Sequence, residues 1–178
     1  MLHNVKGYLP TKLISYILNL QNHPKCIYFT RHGESIFNTE DRVGGDSDLS
    51  ENGLKYCKFL NEFFRNEAKC EKFDQYEEEP KIFTSTLIRA KHTAGEIKLP
   101  NIQPISLKIL DEINAGNLDC MTYSEIKKAF PVDYQERDND KLRYRYPRGE
   151  SYLDLIQRIE PIIFEIERSK GPVIIVNS

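Results

Sequence analysis

The sequence predicts an α/β fold, a three-layer sandwich with a mainly parallel central sheet flanked by helices. Three observations carry that expectation. Short apolar, β-rich runs (CIYFT at 26–30, KIFTS at 81–85, QPISLKIL at 103–110, PVIIV at 172–176) alternate with stretches of helical apolar spacing. The last run is continuously apolar, as expected of a strand covered on both faces and therefore central. His32, Ser85 and Glu112 follow three of the runs, and in sheets of this kind ligands gather at the carboxyl ends of the strands.

The elements follow in order. Residues 11–20 place apolar groups at 13, 14, 17 and 18, a helical spacing that Pro24 closes off. The run at 26–30 reads as a buried strand. Residues 31–50 are polar and bear glycines, hence a loop. Ser50 can cap a helix whose inner face is Leu54, Cys57, Leu60 and Phe64. Residues 67–80, ending QYEEEP, read as a solvated acidic loop. A strand at 81–85 and a helix at 86–97 come next, then a strand at 103–110. Residues 122–130 form a short helix that Pro131 stops, and residues 132–151 a long charged loop. A long helix spans 152–169, with a kink expected at Pro161, before the strand at 172–176.

Composition limits the function. At 178 residues one domain suffices, with a core of useful size. A net charge of −2 gives no reason to expect nucleic-acid or membrane binding, so any positive field is local to a site. The four cysteines form no CxxC pair, and reduced thiols are expected. The N-terminus lacks the build of a signal peptide, and no segment approaches the roughly 20 apolar residues of a membrane span, which points to the cytoplasm. No GxxxxGK[ST] phosphate loop occurs, which argues against a nucleotide-binding kinase within these residues.

The motif RHGES at 31–35 carries the chemistry. A neutral imidazole can attack an electrophile near pH 7. A phosphoryl group is anionic, so the attack needs cations to gather its oxygens, and a guanidinium offers a flat fork matched to phosphate. Gly33 lets backbone approach closely. The loop RDNDKLRYRYPRGES at 137–151 interleaves cations and phenols, which can supply charge and directed hydrogen bonds to a phosphate. His3, His23 and His92 read as surface residues, Glu34 as a brace for its loop, and Arg143 and Arg145 as partners of surface acids.

RHGES after a strand resembles the histidine phosphatase superfamily, which includes the cofactor-dependent phosphoglycerate mutases. IYFTRHGESIFN, RVGGDSDLSENG, FTSTLIRAKHTA, LDEINAGNLDCMTYSEI and RDNDKLRYRYPRGESYLDLIQRIEPII are similar to one branch, the bisphosphatase domain of 6-phosphofructo-2-kinase/fructose-2,6-bisphosphatase. The resemblance covers nearly the whole chain except the acidic loop. It implies residues 1–24 as a linker with an N-terminal helix and 25–178 as the phosphatase domain. It also implies a kinase domain upstream in the native chain, a small sugar bisphosphate as substrate, and no metal or cofactor.

The resemblance also implies roles. His32 accepts the 2-phosphoryl group, Arg31 and Arg89 clamp it, Asn38 donates an amide hydrogen bond to it, and Glu112 serves as acid and then base. Val43 and Gly44 hold the sugar, and Tyr123, Arg137, Lys141 and Tyr152 hold the 6-phosphate. A carboxylate near arginines is usually ionised, so Glu112 needs compensating burial to act as an acid. The sequence departs from the family at Ser178, which aligns with a second site histidine. Two readings stay open: the phosphatase domain is truncated at its C-terminus, or serine genuinely replaces the histidine, which implies a weakened or inactive phosphatase. The alternatives are a catalytically degenerate sugar-phosphate-binding or regulatory domain, and a phosphatase closer to the mutases.

Overall fold

The computed structural model describes residues 10–20, 24–69 and 72–178; His3, His23 and Cys70 lie outside them. Four strands form one parallel sheet in the order β1-β4-β2-β3: β1 (Ile27–Arg31), β2 (Lys81–Thr84), β3 (Ile105–Ser106) and β4 (Val173–Asn177). β4 pairs with β1 from Ile27↔Val173 to Arg31↔Asn177, and with β2 from Lys81↔Val173 to Thr84↔Val176. The helices are α1 (Thr11–Asn19), α2 (Ile36–Thr39), α3 (Glu51–Lys69), α4 (Ile88–Gly95), α5 (Tyr123–Ala129), α6 (Pro131–Asn139) and α7 (Tyr152–Arg168).

The apolar run of β4 explains the layers. Successive strand residues point to opposite faces. Ile174 and Val176 therefore meet Phe64 of α3 and Ala94 of α4 on one face. Val173 and Ile175 meet Ile162 and Ile166 of α7 on the other. Each such aliphatic side chain contributes about 1.5–3 kcal/mol when taken fully out of water. α1 packs on α7. A smaller cluster around Leu118, Ile126 and Tyr146 forms a separate lobe with α5 and α6.

Several expectations change. The strand at the histidine motif is not buried. β1 pairs only with β4 among the described residues, and Phe29 is 70% exposed on that edge. The strand expected at 103–110 is reduced to Ile105–Ser106, after which the Leu107 amide donates to Thr84 O and residues 108–110 tighten into a 3-10 turn. The long charged loop contains α6. Pro131 does end α5, but it also opens α6 in the first turn, where its missing N–H costs nothing. Helix α7 runs from Tyr152 to Arg168 without interruption at Pro161. Phe73 is buried, and Glu77 and Glu78 pair with Lys170 and Lys81, so the acidic loop is anchored rather than simply solvated.

One contact sets where the motif sits. Ser50 caps α3 by accepting from the Gly53 amide at 3.1 Å, as its position predicts. This presses the first turn of α3 onto the motif. A Cβ on Gly33 would lie 2.7 Å from Gly53 O, and a Cβ on Gly53 would strike Glu34 O. Two backbones therefore touch where neither residue has a side chain. Gly53→Ala is expected to destabilise the fold by about 1–3 kcal/mol in denaturant unfolding, the cost of overpacking a rigid contact. Gly95→Ala, where an added Cβ meets nothing within 4 Å, is expected to be neutral or slightly stabilising. Equal effects at both positions would refute the contact's importance.

Candidate active site

His32 leaves β1 at its carboxyl end, where its amide donates to Asn177 O at 3.0 Å. The side chain is buried. Its Nδ1 lies 2.5 Å from Gly33 O, and its Nε2 lies 3.1 Å from Arg89 Nε. A carbonyl oxygen can only accept and a guanidinium nitrogen can only donate. Nδ1 therefore carries the proton, and Nε2 presents its lone pair toward Arg89. Burial draws the imidazole pKa down to about 4; the Gly33 carbonyl opposes this, while the charges of Arg89 and Arg31 add to it. The ring is neutral at pH 7.

Arg89 sits on the first turn of α4 with 1% of its surface exposed. Each of its three guanidinium nitrogens has a partner. Nε meets His32, one terminal nitrogen donates to Gly45 O at 2.8 Å, and the other donates to Glu112 Oε2 at 2.5 Å. Gly44 and Gly45 both adopt positive φ, of 64° and 67°, which lets the chain bring Gly45 O inward without strain.

Glu112 is held from behind. Arg158 on α7 donates to the carbonyls of Lys108, Ile109, Asp111 and Glu112. It also pairs with Glu150, which accepts the Asn114 amide at 2.9 Å. Asp111 accepts from the amide and hydroxyl of Thr86 at 2.6 and 2.9 Å. A cleft of about 410 Å³ opens beside Glu112, with Gly44, Gly45, Asn114 and Arg158 in its wall.

A second cluster lies on the α5–α6 lobe. The Arg137 guanidinium stands 5.5 Å from the Tyr123 ring centre and 5.9 Å from that of Tyr146, and its Nε donates to the Tyr146 oxygen at 2.6 Å. Burial raises the Tyr146 hydroxyl above the ordinary phenol range despite Arg137, so its own proton is retained. Tyr152 is close enough to Arg137 for its charge to be felt. The two clusters are joined through backbone. The Val43 amide donates to Met121 O and Val43 O accepts the Cys120 amide, just before Thr122 caps α5.

The sequence-predicted residues are thus partly brought together. His32, Arg89 and Glu112 form one bonded chain. Arg31 is exposed at the end of β1 and acts on His32 through its field. Asn38 uses its Oδ1 to accept the Ser35 amide, which leaves its Nδ2 hydrogens as donors. Tyr123, Arg137 and Tyr152 cluster, and Lys141 is exposed in the turn after α6. Both backbone groups of Val43 are already bonded, and so are both of Gly45, whose amide donates to Asp119 Oδ1 and whose carbonyl accepts Arg89. His92 pairs with Asp48 at 2.8 Å. Glu34 does brace its loop, through Ser50. Arg143 and Arg145 pair with Asp140 and Asp154. Ser178 Oγ lies 2.9 Å from Ser85 Oγ. Gly45, Tyr146 and Arg158 were not picked out from sequence. Arg158 falls on a helix remote in sequence, and only the fold shows what it touches.

Residues 27–178 match the histidine phosphatase superfamily (branch 1). The chain belongs to that superfamily. It is 47% identical over 176 residues to a 6-phosphofructo-2-kinase/fructose-2,6-bisphosphatase of Arabidopsis thaliana, covering 98% of this chain and 22% of that protein. It is 41% identical to the fructose-2,6-bisphosphatase of Saccharomyces cerevisiae, covering 99% and 37%. The chain therefore spans well under half of these relatives. Among solved structures, Bacillus stearothermophilus YhfR superposes with a TM-score of 0.70 at 31% identity, covering 87% of this chain and 74% of that one. The parallel sheet between helices is the phosphoglycerate mutase-like fold of this superfamily. Among the described residues no group of three or more His, Cys, Asp or Glu could hold a metal ion, and no helix is long and apolar enough to cross a membrane.

The His32 shift has a stability consequence. The unfolded chain takes up a proton on this residue below about 6.5, whereas the folded chain does so only below about 4. Between those values the unfolded state binds more protons, so stability rises with pH through the window and falls as pH drops from 6.5 to 4. Unfolding midpoints measured across that range are expected to lose part of this slope in His32→Gln. An unchanged slope would show that His32 titrates normally.

Proposed function

We propose that this chain is a fructose-2,6-bisphosphate 2-phosphatase that works through phospho-His32. The observation that carries the reading is the Nε2 lone pair of a neutral, buried His32 beside the guanidinium of Arg89. The printed names of the relatives from Arabidopsis and yeast supply the substrate.

In the first half-reaction, Nε2 attacks the 2-phosphoryl phosphorus in line with the sugar oxygen. The N–P bond forms as the P–O bond breaks. Arg31, Arg89 and the Asn38 amide take the phosphoryl oxygens, so the charge is met by donors already in place. Arg89 turns from Glu112 and from His32 Nε2 to the incoming anion, which frees the Nε2 lone pair for the attack. Glu112, relieved of its ion pair and facing a dianion, takes up a proton and gives it to the departing sugar oxygen, releasing fructose 6-phosphate. In the second half-reaction, a water attacks phosphorus, Glu112 accepts its proton, and the N–P bond breaks to release phosphate. Proton transfer of this kind contributes about 10²–10⁴ in rate.

The second cluster serves the other phosphate. Arg137 and Lys141 supply charge, Tyr123 and Tyr152 supply directed hydroxyls, and Val43 and Gly44 line the sugar between the two ends. The bifunctional name of the Arabidopsis relative supports residues 25–178 as a phosphatase domain, 1–24 as its connecting segment, and a kinase domain alongside in a cytoplasmic protein that sets the level of a glycolytic regulator.

The test is transfer of label from fructose 2,6-bisphosphate carrying ³²P at the 2-position. Acid-labile, alkali-stable label is expected on His32, and none in His32→Ala. Label retained by His32→Ala would overturn the mechanism. Label on His32 from other phosphomonoesters but not from this one would overturn the substrate.

A further inference from the structure

The steps above leave one buried hydroxyl at the nucleophile without a role. Thr93 lies on α4, one turn after Arg89, and is fully buried. Its Oγ1 donates its single proton to Arg89 O at 2.7 Å. It accepts the Gly33 amide at 3.0 Å, and the Cys57 thiol donates to it at 3.6 Å. All three contacts are to buried groups.

Gly33 is the residue whose carbonyl holds His32 Nδ1. Glycine has no side chain to restrict φ and ψ, so the direction of that carbonyl is set from outside. Thr93 fixes Gly33 on its amide side. On the far side, the Ser50 amide donates to Glu34 O at 2.8 Å. One turn of α4 thus addresses both ring nitrogens, Nε2 directly through Arg89 and Nδ1 through Thr93 and the Gly33 peptide.

We infer that Thr93 is a positioning residue whose hydroxyl, by anchoring the Gly33 amide, sets the tautomer and orientation of the His32 ring. Its consequence for rate rests on the reading of His32 as the phosphoryl acceptor; its consequence for the ring does not. Thr93→Val keeps the shape of the side chain and removes the hydroxyl, so the Gly33 amide loses its acceptor in a buried place. The Gly33 carbonyl is then free to turn from Nδ1. Thr93→Ser keeps the hydroxyl, and Cys57→Ala removes only the weak thiol contact.

The experiment is ¹⁵N–¹H NMR of the His32 ring in the full chain without substrate, paired with phosphoenzyme formation. Wild type, Thr93→Ser and Cys57→Ala are expected to show the proton on Nδ1 alone. Thr93→Val is expected to show mixed tautomers and to form phosphoenzyme about tenfold to a hundredfold more slowly, with substrate affinity nearly unchanged. A folded Thr93→Val that keeps the Nδ1–H tautomer and the wild-type rate overturns the inference. If Thr93→Val does not fold, wild type decides: an Nε2–H tautomer or a rapidly exchanging Gly33 amide overturns it, and Nδ1–H with a protected amide sustains it. Tautomers that follow Thr93 while no variant forms phosphoenzyme would sustain the positioning role and remove the proposed function.

Discussion

The guanidinium of Arg89 is the interaction on which the rest depends. A buried charge is tolerated only when it is paired and its hydrogen-bonding capacity is met. Arg89 has one partner for each of its three nitrogens, from three separate parts of the chain: the residue after β1, the glycine loop at 44–45, and the segment after β3. Each partner is fixed by its own local structure. The parallel pairing of β1 with β4 delivers His32, positive φ at Gly44 and Gly45 turns a carbonyl inward, and Arg158 clamps the backbone that carries Glu112. Loss of any one leaves a buried cation short of a partner, so the fold and the site stand or fall together.

The same bonding gives the site its chemical character. A donor on Nε2 and an acceptor on Nδ1 allow only one neutral tautomer, and burial keeps the ring neutral. Glu112 rests in an ion pair with Arg89. In the proposed reaction, an anion that competes for the guanidinium releases Glu112 as well as filling the site. The α5–α6 lobe is tied to this centre through the Val43 backbone and through the Arg42 and Asp119 side chains, which bond Cys120 O and the Gly45 amide.

Much of this was legible in the sequence, for physical reasons that can be named. The continuous apolar run at 172–176 announced a central strand because both faces of β4 are covered. RHGES after a β-rich run placed His32 at a strand end, and Ser50 declared the start of α3. What was not legible depended on tertiary partners. Phe29 looks like a core residue, yet its exposure follows from which strand pairs with β1. Pro131 is ambiguous because the same ring ends one helix and opens the next, and the charged composition after it hid α6. Gly53 looks like an ordinary helix residue until Gly33 is packed against it. Thr93 carried a local signal, four residues after Arg89 and hence on the same face, but nothing in one sequence says what that face meets.

The most direct measurement is a double-mutant cycle between Arg89 and Glu112, with stability read by denaturant unfolding of Arg89→Leu, Glu112→Gln and the double variant. The two side chains are in direct contact through a largely buried donor, so their effects are expected to be non-additive by roughly 0.5–3 kcal/mol, with the Arg89 change the costlier single substitution. Additivity within about 0.5 kcal/mol would mean that the pair is not formed in solution, and that Arg89 does not hold the nucleophile and the carboxylate in one bonded unit.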